Sequence, residues 1–316
     1  MSFSKQVKEE LARVELKTRH CNIAEISAYI LCCGRIVVDE YNEYSLLLHT
    51  ENELVADRFE ILVRTTFGAE TIRTIYYGGA THHRTIHEII IDNPEDCVVI
   101  LQATKLLDSY GNLEEHFRTI HQIVLQNTCC KRAFIRGAFL SSGSISTPDK
   151  KYHFEIVCHS FDQASQIMNV LNAFHLDAKI VKRKNNYVVY MKEGEKIVDA
   201  LNIMEAHVSL MELENIRIIK DVRNKVNRKV NCETANIKKT VSAAMKQKKD
   251  IEYLIEHNAF DRLPGPLKEI ASLRLEYETA SLVKLGAKLD PPVGKSGVNH
   301  RMRKISQIAE DLRNSQ

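Results

Sequence analysis

The chain has 316 residues, 44% hydrophobic and 27% charged, with 12 Gly and 6 Pro. This excludes a disordered or collagen-like protein and allows two or three domains with cores of their own. No apolar run approaches the roughly 18 residues of a membrane span, and Met1–Arg19 is charged throughout, without the apolar stretch of a secretory signal; a cytoplasmic protein is expected. The net charge of +3 conceals an asymmetry: residues 216–316 hold 21 Lys+Arg against 12 Asp+Glu, whereas the preceding body is acidic, the pattern of a polyanion-binding module attached to something else.

In chain order, Val7, Leu11 and Val14 space a helix over Ser4–Leu16, with Ser4 as its N-cap. A second helix over Ala24–Cys33 stops at Gly34. Arg35–Asp39 and Tyr44–His49 read as strands, Glu51–Phe67 as a helix closed by Gly68, Thr71–Tyr76 and Arg84–Ile91 as strands meeting at the Gly78-Gly79 turn, and Asp96–Leu107 as a helix ending before Gly111. The order then recurs. A helix over Lys131–Ser142 stops at Gly143, Tyr152–Cys158 is a strand, Ser160–Phe174 a helix, and Ala178–Arg183 with Tyr187–Met191 a hairpin across Asn185-Asn186. Glu195–Leu201 begins a closing helix. Gly34 and Gly143 lie 109 residues apart, and Leu-His-Thr at 48–50 matches Cys-His-Ser at 158–160. The chain therefore carries two αββαββα repeats, residues 1–110 and 111–215, expected to pack as a saddle of two four-stranded sheets under helices.

The helix before the second matched glycine reads Phe134-Ile-Arg-Gly-Ala-Phe-Leu-Ser-Ser-Gly-Ser-Ile, and Gly137, Ala138, Ser141 and Ser142 give it a face of small residues. This run resembles the signature helix of LAGLIDADG homing endonucleases. In that family an acid directly before each glycine binds the divalent metal used to cleave DNA. Here those places hold Cys33 and Ser142, which do not supply the hard carboxylate oxygens Mg²⁺ requires. The resemblance implies the fold and argues against the chemistry: no catalytic residue, metal or cofactor is expected. The nearest later acids, Asp39 and Asp149, lie on or beyond a strand and in a loop. Strand cations (Arg35, Arg73, Arg84, Lys179, Lys182, Arg183, Lys184) leave open a basic underside, while the acidic balance leaves open a protein partner or small ligand.

The eight cysteines include two adjacent pairs, Cys32–Cys33 and Cys129–Cys130, but no Cys-x-x-Cys spacing; they read as small buried hydrophobes of a reduced protein. His82, His83 and His87 read as an exposed sheet face.

Residues 216–260 read as a basic helical linker: a helix over Glu212–Asn227, turns or caps at Asn224, Asn227, Asn231 and Asn236, and a helix over Thr234–Lys249. Lys225, Arg228, Lys229, Lys238 and Lys239 are candidates for phosphate contacts without sequence reading. Residues 261–316 then give a helix over Leu267–Tyr277 opened by Pro264 and Pro266, a short helix over Ser281–Leu289, a breaker at Asp290-Pro-Pro-Val-Gly, and a third helix capped by Ser296. Val298, Met302 and Ile305 face inward. This is a helix-turn-helix plan, and its second and third helices resemble sigma-factor region-4 modules. The expected partner is double-stranded DNA, contacted by Ser281, Leu282, Lys284, Lys288, Lys295, Ser296, Gly297, Asn299, His300, Arg301, Arg303 and Lys304. Asn299, His300 and Arg301 would reach base edges in the major groove, and Lys295, Arg303 and Lys304 the phosphates.

The expected fold class is thus α+β, a duplicated LAGLIDADG-like saddle followed by an all-α helix-turn-helix domain. That architecture, with the runs at 129–140, 223–236 and 295–304, resembles a family of Gram-positive bacterial regulators of sporulation and cell division. The resemblance implies a cytoplasmic, nucleoid-associated DNA-binding protein acting in transcription, cell division and chromosome segregation, and in sporulation where the species sporulates.

Overall fold

The computed structural model describes residues 2–78, 84–108, 118–146 and 151–315. Gly79, His82, His83, Gly111 and Asp149 lie outside them. The chain divides into two compact units, Met1–Lys220 and Asp221–Gln316, each with its own apolar core.

In the first unit the duplication is explicit. Helix α1 (Phe3–Ala12) is capped by Ser2 and not by Ser4. The first half continues with α2 (Arg19–Cys33), β1 (Gly34–Val38), β2 (Tyr44–Thr50), α3 (Glu53–Phe67), β3 (Ile72–Gly78), β4 (Arg84–Ile91) and α4 (Pro94–Ala103). The second half repeats the order with α5 (Thr128–Ser142), β5 (Gly143–Ile145), β6 (Phe154–Cys158), α6 (Phe161–Asn172), β7 (Lys179–Arg183), β8 (Asn186–Met191) and α7 (Gly194–Met204). The strand orders are the same, β1-β2-β4-β3 and β5-β6-β8-β7, all antiparallel. In the first sheet Leu46 pairs with Ile91 and Leu48 with Ile89; in the second Phe154 pairs with Met191 and Ile156 with Val189. These rows are buried against the helices, and the alternate rows face away from them.

The small residues of α2 and α5 do what their size suggests. A Cβ at Gly137 would lie 2.7 Å from the Glu25 carbonyl oxygen and 2.9 Å from the Ala28 Cβ, so the two helices cross where no side chain separates them. Gly34 and Gly143 end these helices in extended backbone and lead directly into β1 and β5; a Cβ there would meet the Ile30 and Phe139 carbonyl oxygens at 2.6 Å.

Several local expectations change. The β7–β8 turn is Lys184-Asn185, with Lys184 at φ 53°, one residue before the dipeptide the sequence suggested. His87 is 4% exposed and lies on the helix-facing row opposite Thr50, not on an exposed sheet face. Arg73 also sits on a helix-facing row and pairs with Glu60 of α3 at 2.7 Å, so it does not join a basic underside.

The larger correction is α8, one continuous helix from His207 to Glu256. The asparagines break nothing. Between Gly194 and Pro264 the sequence holds neither Gly nor Pro, and Asn alone lowers helix propensity too little to interrupt a run rich in Lys, Arg, Glu and Ala. Its first turn is capped from α1: the Glu10 carboxylate accepts from the Val208 and Ser209 backbone N–H groups at 2.7 and 2.9 Å.

The second unit packs the end of α8 with α9 (Gly265–Glu276), α10 (Leu282–Gly286) and α11 (Lys295–Asn314) around Ile251, Leu254, Ile270, Leu285, Val298, Met302 and Ile305. An ion pair of 2.9 Å between Arg313 and the buried Asp250 joins α11 to α8.

Candidate nucleic-acid interface

Helices α9, α10 and α11 form the helix-turn-helix. Ser281 caps α10, its hydroxyl accepting from the Lys284 N–H at 3.4 Å. The turn into α11 closes on Gly286, whose carbonyl accepts from the Val293 N–H at 3.0 Å; a Cβ at Gly286 would stand 2.0 Å from the Val293 carbonyl oxygen, so this position must be glycine. The preceding turn is held by Arg274, a buried guanidinium whose Nη1 donates to the Tyr277, Glu278 and Ala280 carbonyls at 3.3, 3.4 and 2.7 Å. Burial without an acid lowers its pKa, and the carbonyls at the C-terminal end of α9 take the place of a counter-ion.

Helix α11 begins at Lys295, one residue before the expected cap. Its N-cap is Gly294, and Ser296 lies within the first turn without capping it. Val298, Met302 and Ile305 are buried and fix the rotation of the helix. Lys295, Ser296, His300, Arg303 and Lys304 are exposed, and Gly297, Asn299 and Arg301 half-buried. Among the described residues none of these side chains makes a hydrogen bond or ion pair. In α10, Leu282 is half-buried and Lys284 exposed, while Lys288, just beyond it, stacks its ammonium 3.9 Å from the centre of the Tyr277 ring. Lys225, Arg228, Lys229, Lys238 and Lys239 all lie on the exposed middle stretch of α8.

The positions where the resemblance would place metal-binding acids are different. Cys33 ends α2 and donates to the Tyr29 carbonyl at 3.3 Å; Ser142 ends α5 and donates to the Ala138 carbonyl at 3.4 Å. Burial and the neighbouring Cys32 push the Cys33 thiol up to about 12, so it is neutral at physiological pH. Lys8 of α1 reaches in and donates to the Leu140 carbonyl at 3.0 Å. Burial lowers its ammonium to about 8, and it stays cationic near neutrality. Two neutral groups and one cation are the opposite of a divalent-metal seat.

Three family profiles cover most of the chain. The WhiA N-terminal LAGLIDADG-like domain matches residues 19–107, the WhiA LAGLIDADG-like domain 131–223, and the WhiA C-terminal HTH domain 226–309. A probable cell division protein WhiA from Lachnoclostridium phytofermentans is 49% identical over 313 residues, 99% of this chain and 100% of that protein. This chain belongs to the WhiA family. The corresponding protein of Alkaliphilus oremlandii is 45% identical over 99% of this chain and 98% of its own length. The crystal structure of full-length DUF199/WhiA from Thermatoga maritima shares the fold, with a TM-score of 0.59 at 24% identity over 98% of this chain and 99% of that one.

The saddle of this chain also holds a buried ion cluster that the sequence did not reveal. Glu25 of α2, 1% exposed, receives Arg136 of α5 at 2.9 Å and Arg58 of α3 at 3.1 Å. Burial alone would push its carboxyl up, but the charges and hydrogen bonds of Arg136 and Arg58 outweigh that and hold it below the usual carboxylate range. Arg136 further donates to the Met204 carbonyl and to Glu205, each at 3.4 Å. The one available signal was Arg136 itself, a charge inside the apolar run 133–140; its partner lies 111 residues away.

Proposed function

We propose that this chain is a sequence-specific DNA-binding transcriptional regulator of the division cycle, acting in cell division and chromosome segregation and, in sporulating species, in sporulation. It works in the cytoplasm on the nucleoid, and its LAGLIDADG-like unit does not cleave DNA. The observation that carries this reading is the unpaired polar face of α11. Asn299, His300 and Arg301 stand one turn in from its N-terminus, with the opposite face locked by Val298, Met302 and Ile305. Such a helix entering the major groove by its N-terminal end presents these side chains to base edges, where Asn pairs with adenine and Arg with guanine. Lys284, Lys295, Arg303 and Lys304 neutralise flanking phosphates, and the cations of α8 add contacts that read no sequence.

Absence of cleavage rests on Cys33, Ser142 and Lys8. Part of the saddle surface is suited to a protein partner rather than a polyanion. Its outward rows expose Val37, Ile72 and Tyr76, and each sheet carries a carboxylate there: Glu88 beside Tyr76, and Glu155 held by Arg183 and His153 at 2.9 Å.

The test measures both affinities at one salt concentration. Asn299→Ala and Arg301→Ala should each cost roughly 1–3 kcal/mol on the selected site and little on random DNA, with circular dichroism unchanged. Equal losses on both DNAs would reduce α11 to a phosphate contact. In the same preparations, DNA incubated with Mg²⁺ or Mn²⁺ should remain intact; site-specific cuts abolished by chelation would refute the non-catalytic reading.

A further inference from the structure

At the opposite ends of the paired helices from Cys33 and Ser142 sit four residues that the DNA-binding function does not use. His20 and Cys21 occupy the first turn of α2, and Cys129 and Cys130 the first turn of α5. The 109-residue offset that superposes Gly34 on Gly143 also superposes His20 on Cys129 and Cys21 on Cys130, so the duplication supplies one donor pair from each half. One ligand atom from each of the four lies within 4.8 Å of all the others. The His20 Nδ1 is 3.1 Å from the Cys130 Sγ and 3.4 Å from the Cys21 Sγ. A tetrahedron with Zn–S bonds of about 2.3 Å has edges of about 3.8 Å, so the cluster needs only small side-chain rotations to enclose an ion.

Two further features point the same way. Thr18 is the N-cap residue of α2, yet its side chain makes no cap bond; its hydroxyl lies 2.8 Å from the His20 Nε2. The ring is thereby fixed with Nδ1 toward the sulfurs, as outer-shell partners orient metal-bound imidazoles. Asn127 likewise leaves α5 without a side-chain cap. The N-terminal ends of two 15-residue helices therefore converge on the cluster. Cys21 and Cys130 are each 3% exposed, whereas His20 and Cys129 are exposed, giving a closed floor and an open side for entry.

We infer that His20, Cys21, Cys129 and Cys130 form a structural Zn²⁺ site that ties the two LAGLIDADG-like halves together at the N-terminal ends of α2 and α5. Three thiolates and an imidazole with no carboxylate select zinc over Mg²⁺ or Ca²⁺. All four positions are filled by protein, so the ion has a structural role and leaves no open place for chemistry.

The experiment uses the full chain, purified reduced, with metal content measured by mass spectrometry. The expected result is one zinc per chain. After chelation, Co²⁺ titration should saturate at one equivalent with the strong ligand-field and sulfur-to-cobalt charge-transfer bands of tetrahedral thiolate coordination, and added Zn²⁺ should displace them. Cys129→Ser, at an exposed position, should remain folded and bind Zn²⁺ at least tenfold more weakly in chelator competition. Either of two results would overturn the site: a reduced, folded full chain that takes up no stoichiometric zinc and gives no such cobalt spectrum, or a zinc content and affinity unchanged in Cys129→Ser. A disulfide between the two pairs, with no metal uptake after reduction, would do the same.

Discussion

Glu25 shows how much one side chain can decide. Among the described residues its carboxylate pairs with both buried guanidinium groups, Arg58 and Arg136, and Arg136 also pairs with the partly exposed Glu205. Replacing one member of such a cluster leaves charge buried without compensation, a penalty of about 3–5 kcal/mol. Glu25→Gln keeps the shape and removes the charge, so denaturant unfolding should show a loss of that size at neutral pH. The pH dependence has a fixed sign. The folded pKa lies below the unfolded one, so the stabilisation is complete above the ordinary carboxyl value of about 4.3 and is lost as pH falls through and beneath it. The gap between wild type and Glu25→Gln should therefore narrow on acidification below about pH 4.3. A gap that is constant or widens would mean that the carboxylate is not the charged partner of the two arginines.

At the scale of the element, α8 gives a comparable test. Asn227 and Asn231 are exposed within a continuous helix. If they lie in uninterrupted helix, Ala in their place is the better helix former by about 0.5 kcal/mol each. The double replacement should raise the thermal midpoint of the helical signal; a lowered midpoint would show that the asparagines cap a break. This element also shows where sequence reading stopped. Asn clusters suggest turns because the side chain competes for backbone groups, but Asn costs a helix little propensity, and no Gly or Pro falls within α8 to add to that cost. The helices that stop at Gly34, Gly68 and Gly143 were legible in type and order, whereas β5, only three residues long, was not. The helix-turn-helix was legible because α11 must bury Val298, Met302 and Ile305, which sets its outward face without any knowledge of the turn. The cap was not, since Gly294 and Ser296 both suit a helix start and only the backbone separates them. The cysteine cluster was hidden because its donors lie 109 residues apart, across the duplication, and no local spacing announces them.

On the scale of the whole molecule, two cores with separate membership mean two cooperative units. Unfolding should not be a single transition. Calorimetry should resolve two, with Glu25→Gln lowering one and Gly286→Ala, which forces a Cβ against the Val293 carbonyl oxygen, lowering the other. One transition shifted by both replacements would show that the units unfold together. The charge asymmetry runs along the same division, the second unit lying wholly within the basic stretch of the sequence.

The duplication carries a hazard that Glu25 removes. Two halves of the same topology could exchange partners, the first half of one molecule docking on the first half of another. The repeat offset places Phe134 opposite Glu25 and Ser27 opposite Arg136, so the ion cluster exists only in the mixed pairing. A first half meeting a first half would bury its carboxylate against a serine and leave it with Arg58 alone; a second half meeting a second half would bury Arg136 with no Glu25. Both mispairings strand a charge, and the cost falls on the domain-swapped dimer rather than on the monomer. The cluster is thus a lock against self-recognition, divided between the two halves.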